Sequence, residues 1–155
     1  MNANTDFSAL DFIEAPATMD SWELLMDFVS AQSIRHLNDS PKSYGMRLAA
    51  EEILSNMMRE TKSPSQNQAA IIISITSAVA HAECCSWFEI TIKDNGPPFD
   101  PKLEKPREIP KDLPISERPI GGIGLFLVQQ SVDDARYQWR NNQNIYRLRM
   151  QLSSI

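Results

Sequence analysis

Seven of the ten prolines fall between residues 97 and 120, and this crowding limits what the chain can build more than any other feature. Each proline fixes φ and lacks a backbone N–H, so neither a helix interior nor a central strand can pass through such a stretch. Lys102, Lys105, Arg107, Lys111 and Arg118 add charge to it. The segment reads as one long loop, of a length that usually goes with function. A core has to come from the segments on either side. With 155 residues, 42% of them hydrophobic, there is material for one compact domain, 1–155.

Those flanking segments are strongly patterned. SALDFI, from Ser8 to Ile13, suits a short first strand that ends at a proline-containing break. Asp20 stands three residues before Glu23 like a capping box, and Trp22, Leu25, Met26 and Val29 follow at helical spacing toward Leu37. Ser40 and Pro41 are a good cap and a good first residue for a second helix running to about Thr61, where KSPSQN breaks it. AAIIISITSAVA and SWFEITIKD then make a hairpin bent at HAECC, with Phe88, Ile90 and Ile92 on one face. Past the loop, IGLFLVQQSV is helix-compatible, and YQWR and IYRLRMQL alternate around the polar turn NNQN. Tyr137 and Trp139 alternate with Arg136, Gln138 and Arg140, which implies a sheet covered on one face and wet on the other. The fold class is α/β (α+β): a two-layer sandwich of a mostly antiparallel mixed sheet with helices on one face.

Several function classes drop out. The formal charge of -5 has the wrong sign for a general nucleic-acid binder. No apolar run reaches the ~18 residues of a membrane span, and MNANTDFS lacks the basic flank and apolar stretch of a signal peptide, so a soluble, cytoplasmic protein is expected. Cys84 and Cys85 are adjacent, which suits neither a disulfide framework nor a zinc knuckle. His36 and His81 have no evident Ser, Cys or Asp companion and read as surface or structural residues.

Three constellations carry chemistry. Glu52 and Asn56 lie one turn apart among the apolar positions Leu48, Ala49, Ile53 and Met57. They are either the polar rim of an apolar stripe or a site, with Asn offering a hard cation its carbonyl oxygen and Glu accepting a proton. Asp94 shares the parity of Phe88, Ile90 and Ile92 and so leaves its strand on the buried face. A carboxylate there wants a donor such as the exocyclic amine of a purine. Gly96 would admit a flat ring, with Phe99 as a wall. The plainer reading is an Asp-Asn-Gly turn. Gly121, Gly122 and Gly124 are three of only five glycines, placed where the loop gives way to a helix. Such glycines form either a hinge or a set of backbone N–H groups for phosphate, although neither a Walker loop nor a dinucleotide fingerprint is present.

Taken in order, EEILSN (51–56), DNGPPFDP (94–101) and GGIGLFLV (121–128) resemble the asparagine box and the two glycine boxes of the histidine-kinase-like (Bergerat-fold) ATPases. The likeness extends over nearly the whole chain. A stand-alone domain of this size is most similar to the anti-sigma factor serine/threonine kinases of bacterial partner-switching systems, whereas a sensor histidine kinase would need a further phospho-accepting helical hairpin. The resemblance implies ATP and Mg2+ as cofactors, Asn56 as Mg2+ ligand, and Glu52 as the catalytic base for a serine or threonine hydroxyl. It also implies Asp94 on the adenine amine, with Gly96 and Phe99 lining the base. Gly121, Gly122, Gly124 and Leu125 would lie at the phosphates, under a lid at about 102–120 from which a cation, Arg118 or else Lys111 or Arg107, would reach the terminal phosphate.

The partners it implies are an anti-sigma antagonist protein and a sigma factor, with the chain a homodimer and neither nucleic acid nor membrane bound directly. Two positions depart from the pattern, Glu60 where His is frequent and Ile120 where Arg is common. They speak for the alternative of a non-catalytic ATP-binding regulatory module of the same fold.

Overall fold

The computed structural model describes residues 11–60, 71–98 and 127–152. The expected strand start at Ser8, the lid at 102–120 and the glycine run lie outside these residues. The described elements are β1 (Asp11–Pro16), α1 (Trp22–Leu37), α2 (Pro41–Glu60), β2 (Ile72–His81), β3 (Ser86–Asp94), β4 (Asp134–Arg140) and β5 (Gln143–Gln151), with residues 127–131 helical before β4. The strands form one five-stranded sheet in the order β1-β2-β3-β5-β4. Every described pairing is antiparallel, so the sheet is not mixed over these residues.

β1 continues to Pro16, paired with Ile72, rather than stopping at Ile13. The strand is at the sheet edge, where a residue without an N–H breaks no second ladder. The expected Asp20–Glu23 capping box is absent. A 3-10 turn at Met19–Ser21 leads into α1, and its N-cap Ser21 makes no side-chain cap bond. Asp20 is thereby wound into the turn rather than left in the extended conformation a capping box requires.

At α2 the cap is reciprocal. The Ser40 amide donates to Ser43 Oγ at 3.1 Å and the Ser43 amide to Ser40 Oγ at 3.3 Å, so a second serine does the work of the usual Glu. β4 and β5 are joined by Asn141 and Asn142 alone, at φ 54 and 59. Two left-handed residues match the strand twist, and Asn tolerates that region well. The turn is thus shorter than NNQN, which returns Gln143 and Asn144 to the strand.

The core lies between the sheet and α1/α2. Phe88, Ile90 and Ile92 from β3 meet Leu25 and Val29 of α1 and Met46, Ile53, Leu54, Met57 and Met58 of α2 in one apolar cluster. Burying a side chain of this size stabilises by ~1.5–3 kcal/mol, so this face dominates the fold. The other face of the sheet is polar: Glu89 accepts Arg149 Nε at 2.6 Å and lies 3.4 Å from Arg147 Nε. α2 approaches its neighbours closely at Gly45, where a Cβ would stand 2.3 Å from the Ser131 carbonyl oxygen. Lys42 Nζ donates to the Gln151 carbonyl at 2.6 Å. The start of α2 is therefore anchored at the Gln151 end of β5.

Candidate functional site

Asp94 is the last residue of β3 and, as its parity predicts, it faces the core layer and is 6% exposed. The register sets Asn144 of β5 directly opposite. Asn144 Nδ2 donates to Asp94 Oδ1 at 2.8 Å and to the Pro97 carbonyl at 2.8 Å. Tyr137 Oη in turn donates to Asn144 Oδ1 at 2.6 Å. The Gly96 amide donates to the same Asp94 Oδ1 at 2.8 Å, the hydrogen bond of an Asx turn. So the plain turn reading holds here, and the carboxylate that forms the turn is also buried, as its strand parity predicts. One carboxylate oxygen builds the turn, while Oδ2 receives no donor from the described residues.

Burial pushes the Asp94 carboxyl above its usual range, and the hydrogen bonds from Asn144 and Gly96 only partly oppose this. An acid kept in such surroundings fits a ligand donor better than it fits stability. A Cβ at Gly96 would be crowded, 3.1 Å from Asp94 Oδ1 and 3.4 Å from Ile71 Cδ1, so a side chain there would press on the carboxylate. Asn95 closes the loop by accepting the Ile72 amide on its Oδ1 at 2.8 Å.

Glu52 and Asn56 sit on α2 at the edge of its buried stripe, beside Ile53 and Met57, which are 2% and 4% exposed. Both are half-buried rather than core residues, because Met46, Ala50, Leu54 and Met58 widen the apolar face and push them to its rim. They are joined by Arg59. Its Nη2 donates to Asn56 Oδ1 at 2.6 Å and stands 3.7 Å from Glu52 Oε1.

Thus Asp94 is brought together with Gly96, and Glu52 with Asn56. α2 leads away from the Gln151 end of β5, and Met57 and Met58 share their core with Ile73 and Ile92, neighbours of Asp94 along and across the strands. Phe99, Arg118, Gly121, Gly122, Gly124 and Leu125 lie outside the described residues. Two depressions lie on the opposite face of the sheet, around Gln138, Ile145 and Arg147. They are gaps between rows of side chains on a sheet surface, away from Asp94, and carry no argument about the site.

Sequence reasoning missed three residues, Asn144, Tyr137 as its partner, and Arg59. Arg59 was within reach of helical spacing, since it is three residues from Asn56 and seven from Glu52. Asn144 needed the strand register, since reading NNQN as turn hid it.

The residues suit a magnesium nucleotide. Asp94 Oδ2 is a charged acceptor for an amine, and Asn56 offers a hard oxygen. Among the described residues no group of three or more His, Cys, Asp or Glu is placed to hold a metal ion. No helix among the described residues is long and apolar enough to cross a membrane. Among curated proteins no relative matches the chain. A family model described as a histidine kinase-like ATPase domain matches residues 15–151, from the end of β1 to the last residue of β5. With the match spanning the buried acid, the helix pair and the described sheet apart from the start of β1, the chain belongs to the family of histidine kinase-like ATPase domains.

Proposed function

We propose that this domain is a serine/threonine protein kinase that uses ATP and Mg2+ to phosphorylate an anti-sigma antagonist and so regulates a sigma factor by partner switching. The observation that carries its nucleotide half is Asp94, a buried carboxylate with one oxygen fixed by Asn144 and Gly96 and the other without a donor among the described residues. An adenine amine supplies the missing donor, and a charge-assisted bond of that kind is about twice as strong as a neutral one.

The transfer half rests on Glu52 and Asn56. Asn56 would hold Mg2+ through Oδ1, and the bound ion would supply charge neutralisation for the transferring phosphoryl group. Glu52 would take the proton of the serine or threonine hydroxyl as its oxygen bonds to the γ-phosphorus and the bond to the β-phosphate oxygen breaks. ADP, a phosphorylated antagonist and a proton on Glu52 are then left. The lid at 102–120, with Arg118, and the glycines Gly121, Gly122 and Gly124 would close the phosphate side.

Incubation with labelled ATP, Mg2+ and purified candidate antagonist proteins tests the reading. Phosphoserine or phosphothreonine on an antagonist, absent when Mg2+ is chelated, is the expected outcome. A second reading, an ATP-binding module that holds its partner without phosphate transfer, is favoured by Glu60 and Ile120. It predicts nucleotide-dependent partner binding with no label transferred.

A further inference from the structure

The oxygen that Asn56 would offer to a divalent ion is already engaged by a cation. Arg59 Nη2 lies 2.6 Å from Asn56 Oδ1 and 3.7 Å from Glu52 Oε1, so one guanidinium ties the two residues together. Mg2+ demands oxygen ligands at ~2.0–2.1 Å. With Arg59 still in place, the two positive groups would face each other across a single oxygen at about 5 Å or less, a repulsion that solvent at this partly exposed site screens but does not remove. Arginine cannot relieve this by losing its proton. It can relieve it by moving, since its side chain is 50% exposed and sits in the last turn of α2.

We infer that Arg59 is a resident cation that occupies the divalent-ion position of the Glu52–Asn56 pair when nucleotide is absent and is displaced when Mg2+ enters, so that it sets the Mg2+ concentration the site requires. The inference rests on the reading of Asn56 as the Mg2+ ligand. It assigns Arg59 a positioning role in the empty site: the guanidinium keeps an acid and an amide from drifting apart, at the expense of competing with the ion both would serve. Because the pair is exposed, the competition is modest.

The test is the Mg2+ dependence of nucleotide binding by the full chain, followed with a fluorescent ATP analogue at fixed concentration. Wild type, Arg59→Gln, Arg59→Lys and Asn56→Ala are compared, each shown to be folded by its thermal melt. Arg59→Gln is expected to lower the Mg2+ midpoint by about twofold to fivefold, the range an exposed ion pair supports, with Arg59→Lys staying near wild type because the charge is kept. An unchanged or raised midpoint in Arg59→Gln, in a set where Asn56→Ala has lost its Mg2+ dependence, overturns the inference and leaves the Asn56 reading standing. A Lys variant that shifts as far as the Gln variant also overturns it, since charge would not then be the competitor. Mg2+ dependence that survives in Asn56→Ala, or no nucleotide binding by wild type, overturns the Asn56 reading and the inference with it.

Discussion

Asp94 and Glu52 are both carboxylates on the helix-facing side of the same sheet, and they are held in opposite ways. Asp94 is 6% exposed, fixed by neutral donors from a strand partner and a turn. The Glu52 side chain is 25% exposed and faces a guanidinium on its own helix. The first acid is preorganised by backbone register and keeps one oxygen free in a poorly solvated place, which suits recognition. The second can meet solvent and change partners, as the base of the proposed transfer would have to. Under the proposed function, environment more than residue type would divide the labour between them.

This contrast can be broken most sharply at Glu52. Glu52→Gln is expected to leave ATP bound while lowering phosphate transfer by ~10²–10⁴-fold; a Gln variant with normal single-turnover transfer would remove the base from that residue. Next comes Asp94→Asn, expected to weaken adenine nucleotide binding by more than about tenfold in a fluorescence titration, because the amine loses a charged acceptor. The same substitution should not harm the fold. The folded state raises the Asp94 pKa, so the native protein holds this proton more tightly than the unfolded chain. The resulting stability is present below about pH 4 and is lost as pH rises through the raised folded value. Asp94→Asn escapes that loss, so at pH 7 it should melt no lower than wild type. A clearly lower melt would make Asp94 a structural acid.

Asn144→Ala sharpens the comparison from the other side. It removes one of the two donors that fix Asp94 Oδ1 and one acceptor of the Tyr137 hydroxyl. It is expected to cost ~1–3 kcal/mol of stability by chemical denaturation and to weaken nucleotide binding less than Asp94→Asn does. A larger binding loss than at Asp94 would make Asn144 the direct contact.

The smallest effect belongs to His36, stacked on Phe88 with ring centroids 4.9 Å apart. Its pKa is lowered by burial and by Arg35, with Asp11 opposing. Its stability contribution is full above about pH 6.5 and is lost as pH falls toward the depressed folded value. His36→Phe keeps the stack and should flatten that slope in melts between pH 5 and 7, whereas an unaltered slope would assign it elsewhere.

The sequence carried the architecture because its signals are local. Alternation from Trp87 to Asp94 marks a strand and also tells which way Asp94 points, and the spacing of Ile53 and Met57 marks the buried side of α2. What it did not carry is pairing. Asn144 faces Asp94 only because Phe88 faces Met150 six rungs away, and register of that kind is fixed by the tight Asn141–Asn142 turn and the shared core, not by either strand alone. The edge strand was misplaced for a similar reason: Pro16 looks like a breaker until the sheet order shows that its missing N–H faces no further strand. Arg59 lay within plain helical spacing, but an arginine beside an apolar stripe reads as solvated surface until its Nη2 is seen on Asn56.

The contact at Gly45 has a mechanical consequence. Ser131 ends the helical stretch that follows the glycine-rich segment in the chain, and its carbonyl rests against a residue with no side chain to yield. A push delivered along that stretch reaches α2 as backbone on backbone, with no rotamer between them to absorb it. The helix bearing Glu52 and the short helical stretch ending at Ser131 therefore meet backbone to backbone at this point, and any side chain at residue 45 would have to force them apart.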